Sequence, residues 1–276
     1  MNQNFHCGRF VLNAERPLIM GVVNLSDDSF SGDGLHGDVA AAIEQGQRLI
    51  REGAHILDIG AESSRPGAHP VPAAQEIDRL LPFLEALRDS SVPLSVDTVK
   101  PEVMHAVLSA GADMINDITA LRAPGALAAV AASKAGVCLM HMQGEPANMQ
   151  QNPQYGDVVA EVADFLAERV AAAEAAGIAL NRIAVDPGFG FGKSLEHNVE
   201  LLRRLDELLV PGLPLLVGMS RKSMLGLITG RPAMERVPAG IAAHVMAVLR
   251  GARILRVHDV AATRDALAVV QAVENY

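Results

Sequence analysis

The sequence predicts a (β/α)8 TIM barrel, an α/β fold in which one closed parallel sheet is ringed by helices. Three observations carry that expectation. Eight short apolar runs alternate with Ala-rich amphipathic segments from one end of the chain to the other. A length of 276 residues is long for a simple Rossmann unit and normal for an eight-fold barrel. Glycines stand where helices should stop before the chain turns into the next strand.

Taken in order, the strand candidates are Pro17–Asn24, Ala54–Gly60, Pro93–Asp97, Ala112–Asp117, Gly136–His141, Arg182–Asp186, Leu213–Gly218 and Ala252–His258. They are rich in Val, Ile, Leu and Met, as strands buried on both faces should be. The helix candidates are Val39–Glu52, Ala73–Arg88, Pro101–Ala110, Gly125–Ala135, Val158–Ala176, Leu195–Leu209, Ala233–Arg250 and Thr263–Glu274. Gly53, Gly111, Gly136, Gly177 and Gly251 fall just past helix ends, and Pro101 and Pro124 stand at or near helix starts. Ahead of the first run, Phe5–Asn13 reads as a β-hairpin closing the barrel bottom. No linker or low-complexity tract interrupts the pattern, so residues 1–276 read as a single domain. A doubly wound open sheet is the structural alternative.

Composition narrows the function. Aromatic residues make up 3% with no Trp, and the formal net charge is -9, which disfavours a nucleic-acid partner. Cys7 and Cys138 lie far apart without metal-type spacing and read as free thiols of a reducing cytosol. No basic region followed by a long apolar run opens the chain, and no apolar stretch is long enough to span a bilayer, so a soluble cytoplasmic protein is expected.

The ends of the apolar runs are polar: Asn24, Asp58 with Glu62, Asp97, Asn116-Asp117, His141, Asp186, Gly218-Met219-Ser220, and Arg256 with His258. A polar ring at the carboxyl face is where barrel enzymes place their chemistry. Ser220-Arg221-Lys222-Ser223 and Arg256-Val257-His258 follow the seventh and eighth strands, the usual place for a phosphate in such barrels. The bland alternative is a solvated basic turn. Asp97, Asn116 and Asp186 face one cavity and suit a flat heterocycle with a donor–acceptor edge, one carboxylate taking two parallel donors. Internal ion pairing with Arg or Lys competes with that reading for any single acid. The Gly-rich stretch after Asp186 matches neither a phosphate loop nor a dinucleotide fingerprint; it reads as a strand end passing into a flexible turn that offers the rings of Phe189 and Phe191. Met140 reads as a pocket wall, and His141 as a packed core histidine without a role.

Read together, these segments resemble the dihydropteroate synthases. Met20-Gly-Val-Val-Asn-Leu-Ser-Asp-Asp-Ser-Phe-Ser is similar to the family's first signature and Asp58-Ile-Gly-Ala-Glu-Ser-Ser-Arg-Pro-Gly-Ala to its second. Ser95-Val-Asp-Thr, Ile115-Asn-Asp-Ile, Leu139-Met-His-Met-Gln-Gly, Asp186-Pro-Gly-Phe-Gly-Phe-Gly-Lys, Gly218-Met-Ser-Arg-Lys-Ser and Arg256-Val-His-Asp follow in the family's order. The resemblance implies condensation of a dihydropterin pyrophosphate with p-aminobenzoate, assisted by magnesium (Mg2+), in a homodimer. It implies that Asp97, Lys222 and Arg65 are catalytic. Asp97, Asn116, Met140, Asp186, Gly218 and Lys222 would hold the pterin. Asn24, Arg256 and His258 would hold the pyrophosphate, with Asn24 also on the metal. Ser64, Arg65, Pro66, Phe191, Ser220 and Lys222 would shape the p-aminobenzoate pocket. Asp27 stands where the family usually has proline, Ala61 where it has glycine and Ser64 where threonine is common, which bears on loop geometry and sulfonamide sensitivity. Three rival readings stand beside it: a folate-dependent methyltransferase on a related barrel, an aldolase with Lys222 as its Schiff-base lysine, and a paralogue that binds pterin without making product.

Overall fold

Two short antiparallel strands, β1 (Asn4–Cys7) and β2 (Phe10–Asn13), open the chain, paired from Asn4↔Asn13 to Cys7↔Phe10. Eight parallel strands follow: β3 (Leu18–Asn24), β4 (Ile56–Gly60), β5 (Leu94–Asp97), β6 (Met114–Asp117), β7 (Gly136–Met140), β8 (Ile183–Asp186), β9 (Leu216–Val217) and β10 (Ile254–Val257). This computed structural model describes residues 4–25, 38–63, 70–146 and 148–274. The ladder runs β8-β7-β6-β5-β4-β3-β10-β9. Its two ends meet where Val185 bridges Leu215, the Val185 N–H donating to the Pro214 carbonyl at 3.1 Å. That contact closes the barrel and removes the open-sheet alternative.

The helices between strands are α1 (Val39–Glu52), α2 (Ala73–Ala86), α3 (Pro101–Ser109), α4 (Ala126–Ala131), α5 (Val158–Ala175), α6 (Leu195–Arg203), α7 (Ser223–Thr229), α8 (Val237–Val248) and α9 (Val260–Glu274). Local chemistry sets their ends. Asp38 caps α1 by accepting from the Ala41 N–H, and Gly53 ends it in the left-handed region at φ 108°. Asp157 caps α5 through Val159 and Ala160. Three expectations change. The segment Gly125–Ala135 forms only the short α4. Leu195–Leu209 breaks after Arg203 into a 3-10 turn, and Ala233–Arg250 begins as one. Helix α7 was not expected, because Gly226 and Gly230 give that stretch the look of a loop. The Arg236 guanidinium lies over Gly226, where a Cβ would make that side chain move aside.

Period-two alternation sorts each strand's residues between helices and barrel interior. Leu18, Met20, Ile56, Met114, Cys138, Ala184, Leu216 and Ile254 form a buried cluster with Phe5 and Cys7 of the hairpin. The hairpin is therefore the plug of the barrel bottom, as its position in the sequence suggested. Arg9 pins it, its Nε and Nη2 each 3.0 Å from the Asp113 carboxylate, which also accepts from the Leu94 N–H at 3.1 Å. Cys7 and Cys138 are free, and burial pushes both thiols well above their ordinary range. Two residues further along the strands, the inward positions become Asp58, Asn116, Met140, Asp186, Gly218 and Arg256. One closed sheet thus carries an apolar floor and a polar mouth. Among the described residues, no helix is long and apolar enough to cross a membrane.

Candidate active site

Register brings the polar strand ends to one level. Asn24 pairs with Gly60, Gly60 with Asp97, and Asp97 with Asn116, while Met140 pairs with Asp186. Beneath Asp97 lies Asp58, fully buried, which accepts from Ser95 Oγ at 2.6 Å, Asn116 Nδ2 at 3.1 Å and Arg256 Nε at 2.6 Å. Arg256 Nη2 reaches Asp97 at 2.9 Å. Burial works against the Arg256 charge, yet Asp58 and Asp97 outweigh it and hold the guanidinium's pKa above its usual value. Burial raises the Asp97 carboxyl pKa, Arg256 opposes that rise, and Asp58 and the more distant Glu76 and Asp117 add to it. The alternative of internal ion pairing is therefore realised for Asp97, whose partner is the arginine expected on a phosphate.

Across the mouth, Asp186 accepts from the Gly188 N–H at 2.7 Å, and burial raises its pKa against the pull of Lys222. Lys222 donates to the Phe189 carbonyl at 2.5 Å and stands 4.5 Å from the centre of the Phe191 ring. Burial lowers its pKa to about 8, with Asp186 resisting. Phe191 and Val99 pack on an apolar cluster of Ile118, Met140, Met142 and Met149, so Met140 does form a wall. Carboxylate, amide and ammonium groups over an apolar wall suit a flat, polar-edged heterocycle.

The two loops after β9 and β10 meet through Ser220, whose Oγ lies 3.0 Å from His258 Nδ1 and accepts the His258 N–H at 3.3 Å. Arg221 does not join Lys222 as a second cation for an anion. It is 8% exposed and bound by both carboxylate oxygens of Asp259, at 2.7 and 3.2 Å. Its φ of 60° is unusual for a residue with a Cβ, and Arg236 holds the turn by donating to the Arg221 carbonyl at 2.9 Å. From α8, the buried His244 accepts the Met219 N–H at 3.3 Å, which secures the same turn from behind. Gly218 lies beside Arg256, where a Cβ would sit 3.6 Å from the arginine's own Cβ. Asn24 is part-buried at the end of β3, and Ala61 is fully buried in the core. Ser64, Arg65, Pro66 and the Asp27 position lie outside the described residues.

Comparison with known proteins bears on this geometry. Residues 20–258 match the family model described as pterin binding enzyme. The dihydropteroate synthase of Escherichia coli K12 is 47% identical over 262 residues, covering 95% of this chain and 93% of that one. The chain belongs to the dihydropteroate synthase family. Among solved structures of that family, the Burkholderia cenocepacia enzyme complexed with 7,8-dihydropteroate is 52% identical with a TM-score of 0.91, covering 99% of this chain and 96% of its own. The Xanthomonas albilineans enzyme with 4-aminobenzoic acid is 52% identical with a TM-score of 0.92, and each chain is covered in full at 100%.

Within this dihydropteroate synthase fold, some organising residues escaped the sequence reading. Asp58 appears there only as one polar strand end among eight, although it ties Ser95, Asn116 and Arg256 together. Lys193 appears only as the end of a Gly-rich stretch. Its Nζ is buried against the Gly188 and Phe191 carbonyls and His141 Nδ1. A lysine closing a glycine-rich run was the available signal. His141 is packed, edge-on to Phe165 at 4.9 Å, yet it has a polar partner as well.

Proposed function

We propose that this protein is a working synthase. It joins 6-hydroxymethyl-7,8-dihydropterin pyrophosphate to p-aminobenzoate and yields 7,8-dihydropteroate and pyrophosphate in folate biosynthesis. The observation that carries the reading is Asp186, Asn116 and Lys222 gathered over the Met140–Phe191 wall, with the Ser220–His258 pair and Arg256 at the same mouth. Membership of the family supports it, as do relatives solved with 7,8-dihydropteroate and with 4-aminobenzoic acid.

In this reading Asp186 takes the guanidine-like edge of the pterin, Asn116 and Lys222 take its remaining polar atoms, and Gly218 leaves room for the ring. His258, Arg256 and Asn24 hold the pyrophosphate. Ser64, Arg65, Pro66, Phe191 and Ser220, with Lys222, hold p-aminobenzoate. The C–O bond to pyrophosphate breaks first and its electron pair leaves with the phosphate. Asp97 stabilises the methylene cation that remains, being a carboxylate at the level of Asn24 and Asn116. The amine nitrogen then closes the C–N bond and sheds a proton to water, since an aryl ammonium is acidic enough to need no base. A covalent adduct between pterin and a side chain, trapped without p-aminobenzoate, would exclude this order.

Among the described residues no cluster of three His, Cys, Asp or Glu side chains could hold a metal. One amide, Asn24, suits a magnesium that arrives with its phosphate oxygens and waters rather than a resident ion. When bound there, it would neutralise charge on the departing pyrophosphate. The pairing of two copies is read from apolar side chains left exposed on α7 and around α8: Leu227, Ile228, Met234, Met246 and Leu249. Only monomer in sedimentation at micromolar concentration would remove the homodimer. A cytoplasmic location fits the two unpaired thiols.

The deciding experiment measures dihydropteroate formed from the two substrates, with and without magnesium, beside Asp97→Asn. Magnesium-dependent product that falls at least about a hundred-fold in the variant is expected for loss of transition-state charge stabilisation. Tight pterin binding without turnover would instead favour the silent paralogue.

A further inference from the structure

Lys193 is buried at 3% exposure, and among the described residues it touches no carboxylate. Its Nζ lies 3.0 Å from the Gly188 carbonyl, 3.0 Å from the Phe191 carbonyl and 2.9 Å from His141 Nδ1, with the His141 carbonyl at 3.5 Å. An ammonium has three N–H bonds, and these three near acceptors use them all. With Lys193 as an ammonium, the count requires a neutral His141 ring with Nδ1 as acceptor. Burial, with Lys193 beside it, pushes the His141 pKa down to about 3, in keeping with that.

The lysine sits at the hub of a chain folded back on itself. Gly188, Gly190 and Gly192 have φ of 68°, 79° and 62°. A Cβ on Gly188 would run into the His141 carbonyl oxygen, and one on Gly192 into that of Gln143. Outer contacts hold the loop too: Asn198 Oδ1 accepts the Gly190 N–H at 2.7 Å and Tyr155 donates to the Gly192 carbonyl at 2.8 Å. With the Gly188 and Phe191 carbonyls turned inward to Lys193, the Phe189 carbonyl and the Phe191 ring face Lys222 instead.

We propose that Lys193 is a positioning residue of the condensation: its ammonium, capped by His141, sets the loop that seats Lys222 and keeps Asp186 available as an acceptor. This rests on the placement of Asp186 and Lys222 in the substrate pocket. Among the described residues, burial lowers the Lys193 pKa to about 7, with Asp186 raising it and Lys222 lowering it further. Lys222, Lys193 and Arg256 act on Asp186, while Arg122 and Tyr155 lie near His141. A nearby cation lowers a carboxyl pKa, so removing Lys193 lets that of Asp186 rise further.

The test uses the full chain with Lys193→Met. The acid limb of kcat/KM for the pterin substrate should move up by about half a pH unit or more, as loss of one nearby cation predicts. The KM for p-aminobenzoate should rise about ten-fold through misplacement of Lys222, with kcat changed less. A lysine that only stabilises the fold would lower the active fraction equally at every pH and leave the limb in place. His141→Leu keeps the cation and removes its third acceptor, so it should raise the KM for p-aminobenzoate the same way by less and leave the limb nearly in place. Asp186→Asn and Lys222→Ala are run alongside. If they leave activity intact, the pocket assignment fails on its own account. If they impair it while folded Lys193→Met shows the wild-type limb and KM, the proposal is overturned. Should Lys193→Met not fold, a wild-type KM for p-aminobenzoate in folded His141→Leu overturns it equally.

Discussion

Asp58 holds three side chains with one carboxylate. Its Oδ2 serves both Asn116 and Arg256, and its Oδ1 serves Ser95. An amide at this position offers one acceptor oxygen and two N–H donors, so at least one partner loses its acceptor. Removing one member of a buried ion pair costs about 3–5 kcal/mol, and the 23% exposure of Arg256 brings the expectation for Asp58→Asn nearer to about 2 kcal/mol. Urea unfolding should read that loss. The kcat/KM should drop about ten-fold as well, because Asn116 and Arg256 lose their fixed orientation. Wild-type stability and kinetics together would show that Arg256 and Asn116 are aimed by something else. The sequence could not single this residue out. Its arginine partner is 198 positions away, and the pairing depends on two strands being joined to β3 from opposite sides.

At the scale of elements, the strands were legible because a parallel strand buried on both faces leaves a short unbroken apolar run, and all eight runs became strands. Helix ends were less so, since α6 ends and α8 begins beside a 3-10 turn, and α4 stops at Ala132 with no glycine at its end. The loop from Gly188 to Lys193 was read from its glycines as a flexible turn, and it is instead a tightly packed one. That difference has a measurable side. Gly188→Ala meets both a positive φ and a backbone oxygen that has no room to give, so a loss of about 3 kcal/mol or more is expected in chemical denaturation. Gly177→Ala, at φ 95° with nothing within 4 Å, should cost only about 1 kcal/mol. Equal costs would mean that the loop shifts to accept a side chain.

For the whole molecule, length and alternation implied a barrel, and the hairpin ahead of β3 implied a plug. Closure was expected with it, but the place where it is made was hidden, Val185 meeting Leu215 beside a strand of only two paired residues. The position of Arg256 between two carboxylates was equally hidden, because charge type at a strand end does not say which neighbours the barrel will bring. The two cysteines now acquire a use. Cys7 lies on the hairpin and Cys138 on an inner strand, both at 0% exposure and both held as unreactive thiols by burial. They sit on opposite sides of a single joint, between cork and vessel. A thiol reagent can reach Cys7 once the hairpin lifts, while Cys138, two residues deeper along β7 than the Gly136 the hairpin rests on, still has the barrel wall around it. Labelling each sulfur in time by mass spectrometry therefore turns the native chain into its own two-handed clock. Simultaneous labelling would mean that cork and vessel open as one unit, and early labelling of Cys7 that the floor leaves first.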